Sequence, residues 1–565
     1  MRRTFASAML AASLLAGGPA IAQMTDVTQT TPHVAGGQIG KSLAQQIGVG
    51  QGDVTTPRSS VYLIKRDPAR SIRRGRMLFQ RKFSEEQGQG PRVDNASSGD
   101  IGAVRMLGAG MVDSCAGCHG RPRGAAGFGG DVATRPDSRD APHLFGLGLV
   151  EQIAEEITAD LRRQKADALA AAVNGTPPVQ SQFCSRNPPN PSCRGTPPGP
   201  RTVELQSKGI RYGRLTAFPN GTVDTSEVDG VNADLRVKPF FHEGGTISMR
   251  EFVVGAFKAE MGLESPDSIL CAVTEPGATT PIASPSGFVF DPTKDTFERP
   301  PVCGMSADGD GDGVVNEIPT ALIDHFEFYL LNYFKPGLGR QTARTQQGLL
   351  LMHQIGCTGC HRQDIRIESD RRVADVETAF DPRNGIFNRL FAMAETRFES
   401  VADGFVDPND GVAHAILEPQ GQPFLVENIF ADFKRHDLGP NFHEREYNDD
   451  ASGGTTRVTE FMTEPLWGVG SSGPYGHDGR SINLEEVILR HGGEAQQARN
   501  RFAQLGDTDR TKILEFLNTL ILFPPDDTAS NLNPGNPRTQ DPQTPAQHGS
   551  INLGALFQLG YEGAE

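Results

Sequence analysis

Apolar residues fall at helical spacing in several stretches of this chain, separated by segments rich in proline, asparagine and glycine. Leu149, Ile153, Ile157 and Leu161 recur every four residues with Glu and Arg on the other face, which predicts an amphipathic helix. Residues 248–261 and 320–334 read as helices by the same pattern. A stretch from Ser71, containing Gly75, Leu78 and Phe79, and a second at 347–354, containing Leu350, Leu351 and Met352, each lead toward a cysteine-rich motif. The last expected helix starts near an Asp507 or Thr508 cap and buries Ile513, Leu514, Leu517, Leu520 and Ile521. Three stretches lack such a pattern: 23 to about 67, 174–201, and 265 to about 304. They read as a loose extension and two loop insertions, and everything after Pro524 reads as a surface tail.

Charge and composition narrow the function. A net charge of −15 argues against a nucleic-acid partner and is compatible with a basic redox protein. With 65 Gly and 40 Pro but only 22% charged residues, the chain reads as globular and loop-rich. Arg2 and Arg3 precede an apolar run from Phe5 to Leu15, and Ala20-Ile21-Ala22 offers small residues for cleavage before Gln23. This predicts a secretory signal and a periplasmic protein; the faint twin-arginine start is outweighed by the general secretory route. No other apolar run has the length of a membrane span.

The chemistry is carried by Cys357-Thr358-Gly359-Cys360-His361 and its repeat Cys115-Ala116-Gly117-Cys118-His119. Two thiols three residues apart can add to the vinyl groups of a porphyrin, and the next residue, an imidazole, then falls under the iron. A zinc knuckle needs a second pair of ligands close by, and neither motif has an obvious one. The expected cofactors are therefore two covalently bound haem c groups. Four cysteines remain, Cys184, Cys193, Cys271 and Cys303, and an oxidising compartment suggests two disulfides. Three pairings are possible, and proximity favours Cys184–Cys193 with Cys271–Cys303.

The chain also repeats itself. Residues 241–251, Phe-His-Glu-Gly-Gly-Thr-Ile-Ser-Met-Arg-Glu, align without a gap on 476–486, Gly-His-Asp-Gly-Arg-Ser-Ile-Asn-Leu-Glu-Glu. Pro142-His143-Leu144-Phe145-Gly146 pairs loosely with Pro465-Leu466-Trp467-Gly468. The expected fold is mainly α: two tandem cytochrome c-like haem domains with loop-rich insertions. Boundaries are a signal peptide 1–22, an extension 23–70, an N-terminal haem domain 71–335 with insertions 174–240 and 265–318, a C-terminal haem domain 336–525, and a tail 526–565.

With these motifs in view, the chain resembles the bacterial di-haem cytochrome c peroxidase superfamily, most closely its di-haem oxidoreductase branch. The resemblance covers roughly 71–523 apart from the two insertions. Its most specific segment runs from Thr463-Glu464-Pro465-Leu466-Trp467-Gly468 through Pro474-Tyr475-Gly476-His477-Asp478-Gly479-Arg480 to His491-Gly492-Gly493-Glu494-Ala495. Arg435-His436-Asp437-Leu438-Gly439 adds a further family motif.

The resemblance implies hydrogen peroxide (or dioxygen) activation at the N-terminal haem, with electrons passed by the C-terminal one. At the end of the Leu-Glu-Glu helix the family usually places a methionine ligand; here the residue is His491, which implies His361/His491 ligation and a lower potential. Competing sixth ligands are His477, His436 and Met462. Glu260-Met261-Gly262 matches the segment holding the family's acidic catalytic residue, so Glu260 is the expected proton carrier. A family glutamine in that pocket is replaced by an apolar residue near Phe252, which weakens the case for efficient peroxide reduction. His242 stands where an aromatic residue is expected, and two roles stay open: reaching the first iron, or capping its turn. Trp467, the single tryptophan, is a candidate electron relay with core packing as its ordinary alternative.

Asp308, Asp310 and Asp312 with Gly313 match half of an EF-hand loop, but the twelfth position is Pro319. Asn316 or Glu317 can close a shorter calcium loop; an acidic turn is the alternative. The resemblance also implies calcium between the haems, near Ser472 and Pro474. Expected partners are peroxide or dioxygen and a small redox protein. The rival readings are an oxidase or oxygenase acting on a protein side chain or a hydrophobic organic substrate, and a non-catalytic electron-transfer cytochrome.

Overall fold

The computed structural model describes residues 50–90, 92–93, 97–98, 112–119, 140–177, 194–333, 336–375, 378–381, 385–388, 395–396, 398–406, 411, 413, 415–447 and 455–522. The expected signal peptide, most of the extension, the C-terminal tail and the Cys184–Cys193 pairing lie outside the described residues. The helices are α1 (Ser60–Arg66), α2 (Pro68–Gln80), α3 (Cys115–Cys118), α4 (Leu147–Asn174), α5 (Met249–Met261) and α6 (Ser268–Val273). They continue with α7 (Thr320–Leu331), α8 (Ala343–Ile355), α9 (Leu484–Arg490), α10 (Gln496–Gln504) and α11 (Asp507–Leu517).

Strands are short and mostly paired two by two; the longest pair is the antiparallel hairpin β1 (Arg201–Ser207) and β2 (Ile210–Ala217), which packs on α4. That stripe of α4, Leu149, Ile153, Ile157 and Leu161, is at most 1% exposed, as its spacing requires.

Two helix crossings organise the two halves, and each is closed by a glycine. In α2, a Cβ on Gly75 would stand 2.3 Å from both the carbonyl of His325 and Cβ of Tyr329 on α7. In α8, one on Gly348 would stand 2.0 Å from the carbonyl of Lys512 on α11. A hydrogen at these positions lets the backbones approach to where ring and aliphatic side chains interlock. Around α8, α9, α10 and α11 lies a second apolar core of Met352, Ile355, Phe430, Leu484, Phe502, Ile513, Phe516 and Leu517. Trp467 and Leu522, late in the chain, instead join the first and larger core.

The repeat seen in the sequence is a repeat of backbone geometry. Phe241 and Gly476 both take positive φ, at 62° and 85°, and Gly244 and Gly479 both donate back to them at 3.0 Å. Phe240 bridges Thr246 as Tyr475 bridges Ser481. Ser248 and Asn483 then cap α5 and α9, accepting from Glu251 N and Glu486 N, while those glutamates reach back to Ile247 N and Ile482 N at 3.0 Å. Such reciprocal bonds satisfy otherwise unpaired donors of a first helical turn.

Several sequence expectations need correction. The stretch before residue 67 is not loose throughout: Ser59 caps α1, whose Leu63 and Ile64 are buried. A seven-residue helix is too short for its periodicity to stand out. The 265–304 insertion contains α6 and a hairpin of Ile282–Ala283 with Val289–Phe290, tied by a Cys271–Cys303 disulfide. The helix expected over 320–334 stops at Leu331. In the last helix Gly506 takes the cap position and Phe516 the buried place expected of Leu514. Leu520 and Ile521 are buried as a strand against Gly337–Leu338, because apolar residues every three or four positions are shared by a helix and the strand that follows it.

Candidate functional site

Each Cys-x-x-Cys-His motif is one tight turn in which the histidine N–H donates to the carbonyl of the first cysteine, at 2.9 Å for His119 and 3.0 Å for His361. The imidazoles are set alike. Nδ1 of His119 donates to the carbonyl of Pro142 at 2.7 Å, and Nδ1 of His361 to that of Phe430 at 3.0 Å. A carbonyl only accepts, so it fixes the tautomer and leaves Nε2 of each ring as a free lone pair. An outer bond of this kind is what orients a metal-ligating histidine.

One cavity of about 1160 Å³ runs past both motifs, lined by Cys115, Cys118 and His119 at one end and Cys357, Cys360 and His361 at the other. Phe79, Phe257, Phe326, Phe442, Phe461 and Leu484 are among its apolar walls. All four motif cysteines are free of disulfides. Burial pushes the Cys115 thiol up to about 12 and the Cys118 thiol to about 11, with Glu260 adding to the latter. Burial likewise raises Cys357 to about 11. A zinc site would need further ligands gathered around these thiols. Cys360 does meet Asp432 and His436, but His436 is bonded through Nε2 to Asp432 (2.9 Å) and through Nδ1 to Glu494 (2.8 Å) and has no lone pair to give. Two thiols, one oriented neutral imidazole and a largely apolar space fit a haem at each motif.

A further histidine, His491, lines the cavity close enough to His361 for the two rings to act on each other. His491 caps the C-terminus of α9, and its Nδ1 donates to the carbonyl of Val487 at 2.7 Å, which leaves Nε2 free. Burial lowers its pKa to about 4, with the nearby His361 lowering it further, so the ring is neutral. Phe442 holds it edge-on with centroids 5.2 Å apart. The competitors are disposed of by their contacts. His436 is occupied as above, His477 stacks on Phe461 at 4.0 Å with Nε2 facing Glu444 at 2.9 Å, and the sulfur of Met462 lies against Gly244.

At the first motif the nearby histidines are turned elsewhere. His143 Nε2 donates to the carbonyl of Trp467 at 2.9 Å, and its Nδ1 accepts from Phe145 N at 3.2 Å. His242 bonds Glu464 through Nδ1 at 2.7 Å, and its Nε2 points at the carbonyl of Asp140, 3.5 Å away. Its ring stands 6.0 Å from that of His477, so the two histidines of the repeat meet between the motifs. Glu260, half-buried in the last turn of α5, lines the cavity and acts on the Cys118 thiol. Its carbonyl accepts from Val112 N at 3.2 Å, tying that turn to the segment entering Cys115. Phe252, between Phe240 and Phe241, gives this part of the cavity an apolar side.

Trp467 is 3% exposed and lies in the wall between the motifs, its ring against Gly146. A hydrogen-bonded track passes through it. From His119 it crosses to Pro142, continues to His143, and crosses to the carbonyl of Trp467. Leu466 N then donates to the carbonyl of Ile429 at 3.0 Å, and the next carbonyl, of Phe430, receives His361. Sequence reasoning noticed 142–146 and 465–468 as a loose repeat but gave His143 no role. The signal available was that a histidine stands where its counterpart has leucine. Glu464 and Phe442, which line the cavity, and Glu444, which meets His477, were also missed, being ordinary residues until the fold brings them there. Asp308, Asp310, Asp312, Asn316 and Glu317 lie on one loop beside the cavity, of which Asp310 reaches the wall.

Residues 409–520 match the family model described as "Di-haem oxidoreductase, putative peroxidase". No curated protein matches the chain. Among solved structures, "Kuenenia stuttgartiensis Hydrazine Synthase Pressurized with 20 bar Xenon" aligns at 12% identity and TM-score 0.30, covering 87% of this chain and 98% of that one, a likeness too loose to bear on the fold. The segment of this chain that is similar to the di-haem oxidoreductase family holds Trp467, His477 and His491.

Proposed function

We propose that the protein is a periplasmic di-haem c oxidoreductase, built as two tandem, mainly α, cytochrome c-like units, that activates hydrogen peroxide or dioxygen. One observation carries this reading: both motif histidines donate through Nδ1 to a backbone carbonyl and line one cavity, yet among the described residues only His361 has near it a second neutral imidazole, His491, whose Nε2 is free. Haem bound at the two motifs would supply the electron transfer and the cleavage of an oxygen–oxygen bond. The chain's own residues divide the rest. His119 and His361 would each hold the iron of the haem at its own motif, and His491 would offer a further imidazole to the second. Glu260, on the cavity wall beside Cys118, would receive and return a proton at the first motif, a task for which a half-buried carboxylate is suited. Trp467 and the bonded track around it join the two ends, and a small redox protein exchanges electrons with the surface.

Covalent attachment tests the foundation. A denaturing gel stained for haem should show full haem on the wild type and about half on Cys118→Ser and on Cys360→Ser separately, because each motif carries its own group. A wild type that loses all its haem on denaturation would remove this reading.

A further inference from the structure

The strongest unassigned feature is a nest of carboxylates beside the first end of the cavity. Asp310 belongs to two clusters at once: with Glu264 and Asp308, and with Asp312 and Glu317, the donor oxygens of each cluster all lying within 4.8 Å of one another. Glu264 comes from the segment just past α5, more than forty residues from the loop it meets, so this is no simple acidic turn.

Part of the nest is self-contained. Asp308 is taken up by the backbone, accepting from Gly311 N at 2.6 Å and Gly313 N at 2.9 Å, and this shapes the loop. Glu264 accepts from Gly309 N at 2.9 Å, and Glu317 from Glu264 N at 2.6 Å, which locks the two segments together. The remaining observation is independent of loop shape. Glu317 is 5% exposed, and its Oε1 is sheltered from water with no hydrogen-bond partner. Gly88 closes over it; a Cβ there would stand 2.2 Å from the Glu317 carboxyl carbon. A carboxyl oxygen left without a partner inside a protein is costly unless something positive meets it.

We infer that Glu264, Asp310, Asp312 and Glu317 form a binding site for a divalent cation, calcium by its chemistry, with Asp308 holding the loop in place. Calcium binds oxygen at about 2.3–2.6 Å, so donors on opposite sides of it stand about 5 Å apart, which is the span of each cluster. The donors are all oxygen, which excludes the softer transition metals as the best fit. Asn316, with φ of 51°, makes the turn that delivers Glu317. Glu264 supplies from another segment the acidic ligand that the EF-hand pattern lacks at Pro319. Because Glu264 lies four residues beyond Glu260, a bound cation braces the turn that carries the expected proton carrier. That last consequence rests on the proposed function; the site itself does not.

The test uses the full-length, haem-loaded protein after chelator treatment. Calorimetric titration with calcium chloride should show binding, with a raised thermal midpoint at millimolar calcium and weaker binding of magnesium chloride. Glu317→Gln and Glu264→Gln should each weaken calcium affinity roughly tenfold or more, since ligand charge sets affinity in such sites. Should a buried variant lose haem, Asp312→Asn, half-exposed on the loop, must show the same weakening. Calcium binding of equal stoichiometry and affinity in wild type and variants would overturn the site, as would no binding by the wild type. Haem content and the Soret spectrum, read on the same samples, report separately on the di-haem reading.

Discussion

Replacing Glu260 by glutamine is expected to slow peroxide turnover about a hundred- to ten-thousand-fold, the range in which a positioned proton carrier contributes. The amide keeps the shape and polarity of the side chain but cannot take a proton from one oxygen and return it to the other. The site favours a specific effect over a structural one. The Glu260 side chain is half-buried on the cavity wall, while the packing of α5 is supplied by Val253, Val254, Phe257 and Met261. Its backbone bond to Val112 survives the substitution. Thermal stability and the haem spectrum should therefore match the wild type. Stopped-flow mixing with peroxide checks the prediction, and an unchanged rate would take Glu260 out of the mechanism.

The second large effect is spectroscopic. His491→Ala should abolish the low-spin signal of the C-terminal haem, since no other described side chain is placed to replace the lost imidazole. His436 is tied to Asp432 and Glu494, and His477 faces Glu444. His491→Met makes a sharper comparison, because it should keep the site six-coordinate and raise its potential, as a His/Met pair does relative to two histidines. EPR of the ferric protein reads the first variant and a potentiometric titration the second. A low-spin signal retained in His491→Ala would assign the ligand to another residue.

Much of the site was legible in the sequence because its chemistry is local. A cysteine pair followed by histidine is complete within five residues, and the segments 241–251 and 476–486, which align without a gap, adopt matching turns and helix caps. What was not legible is whatever depends on contact between distant segments. Nothing in the sequence says that the carbonyls of Pro142 and Phe430 orient the two imidazoles. Nor does it say that His143 bonds Trp467, or that Glu264 joins Glu317. His242 shows the limit of a positional reading: it sits where the alignment expected it, yet its Nδ1 bonds Glu464 and its ring meets His477. The short helix α1 and the Leu520–Ile521 strand escaped for a different reason, since three or four apolar residues do not distinguish one period from the other.

The two irons are expected to differ, and EPR and absorption spectra of the purified ferric protein, recorded before and during titration with hydrogen peroxide, read that difference. The expected result is one low-spin centre with two histidine ligands and one centre with an accessible coordination position whose spectrum changes as peroxide is added. Two low-spin centres, both indifferent to peroxide, would contradict it.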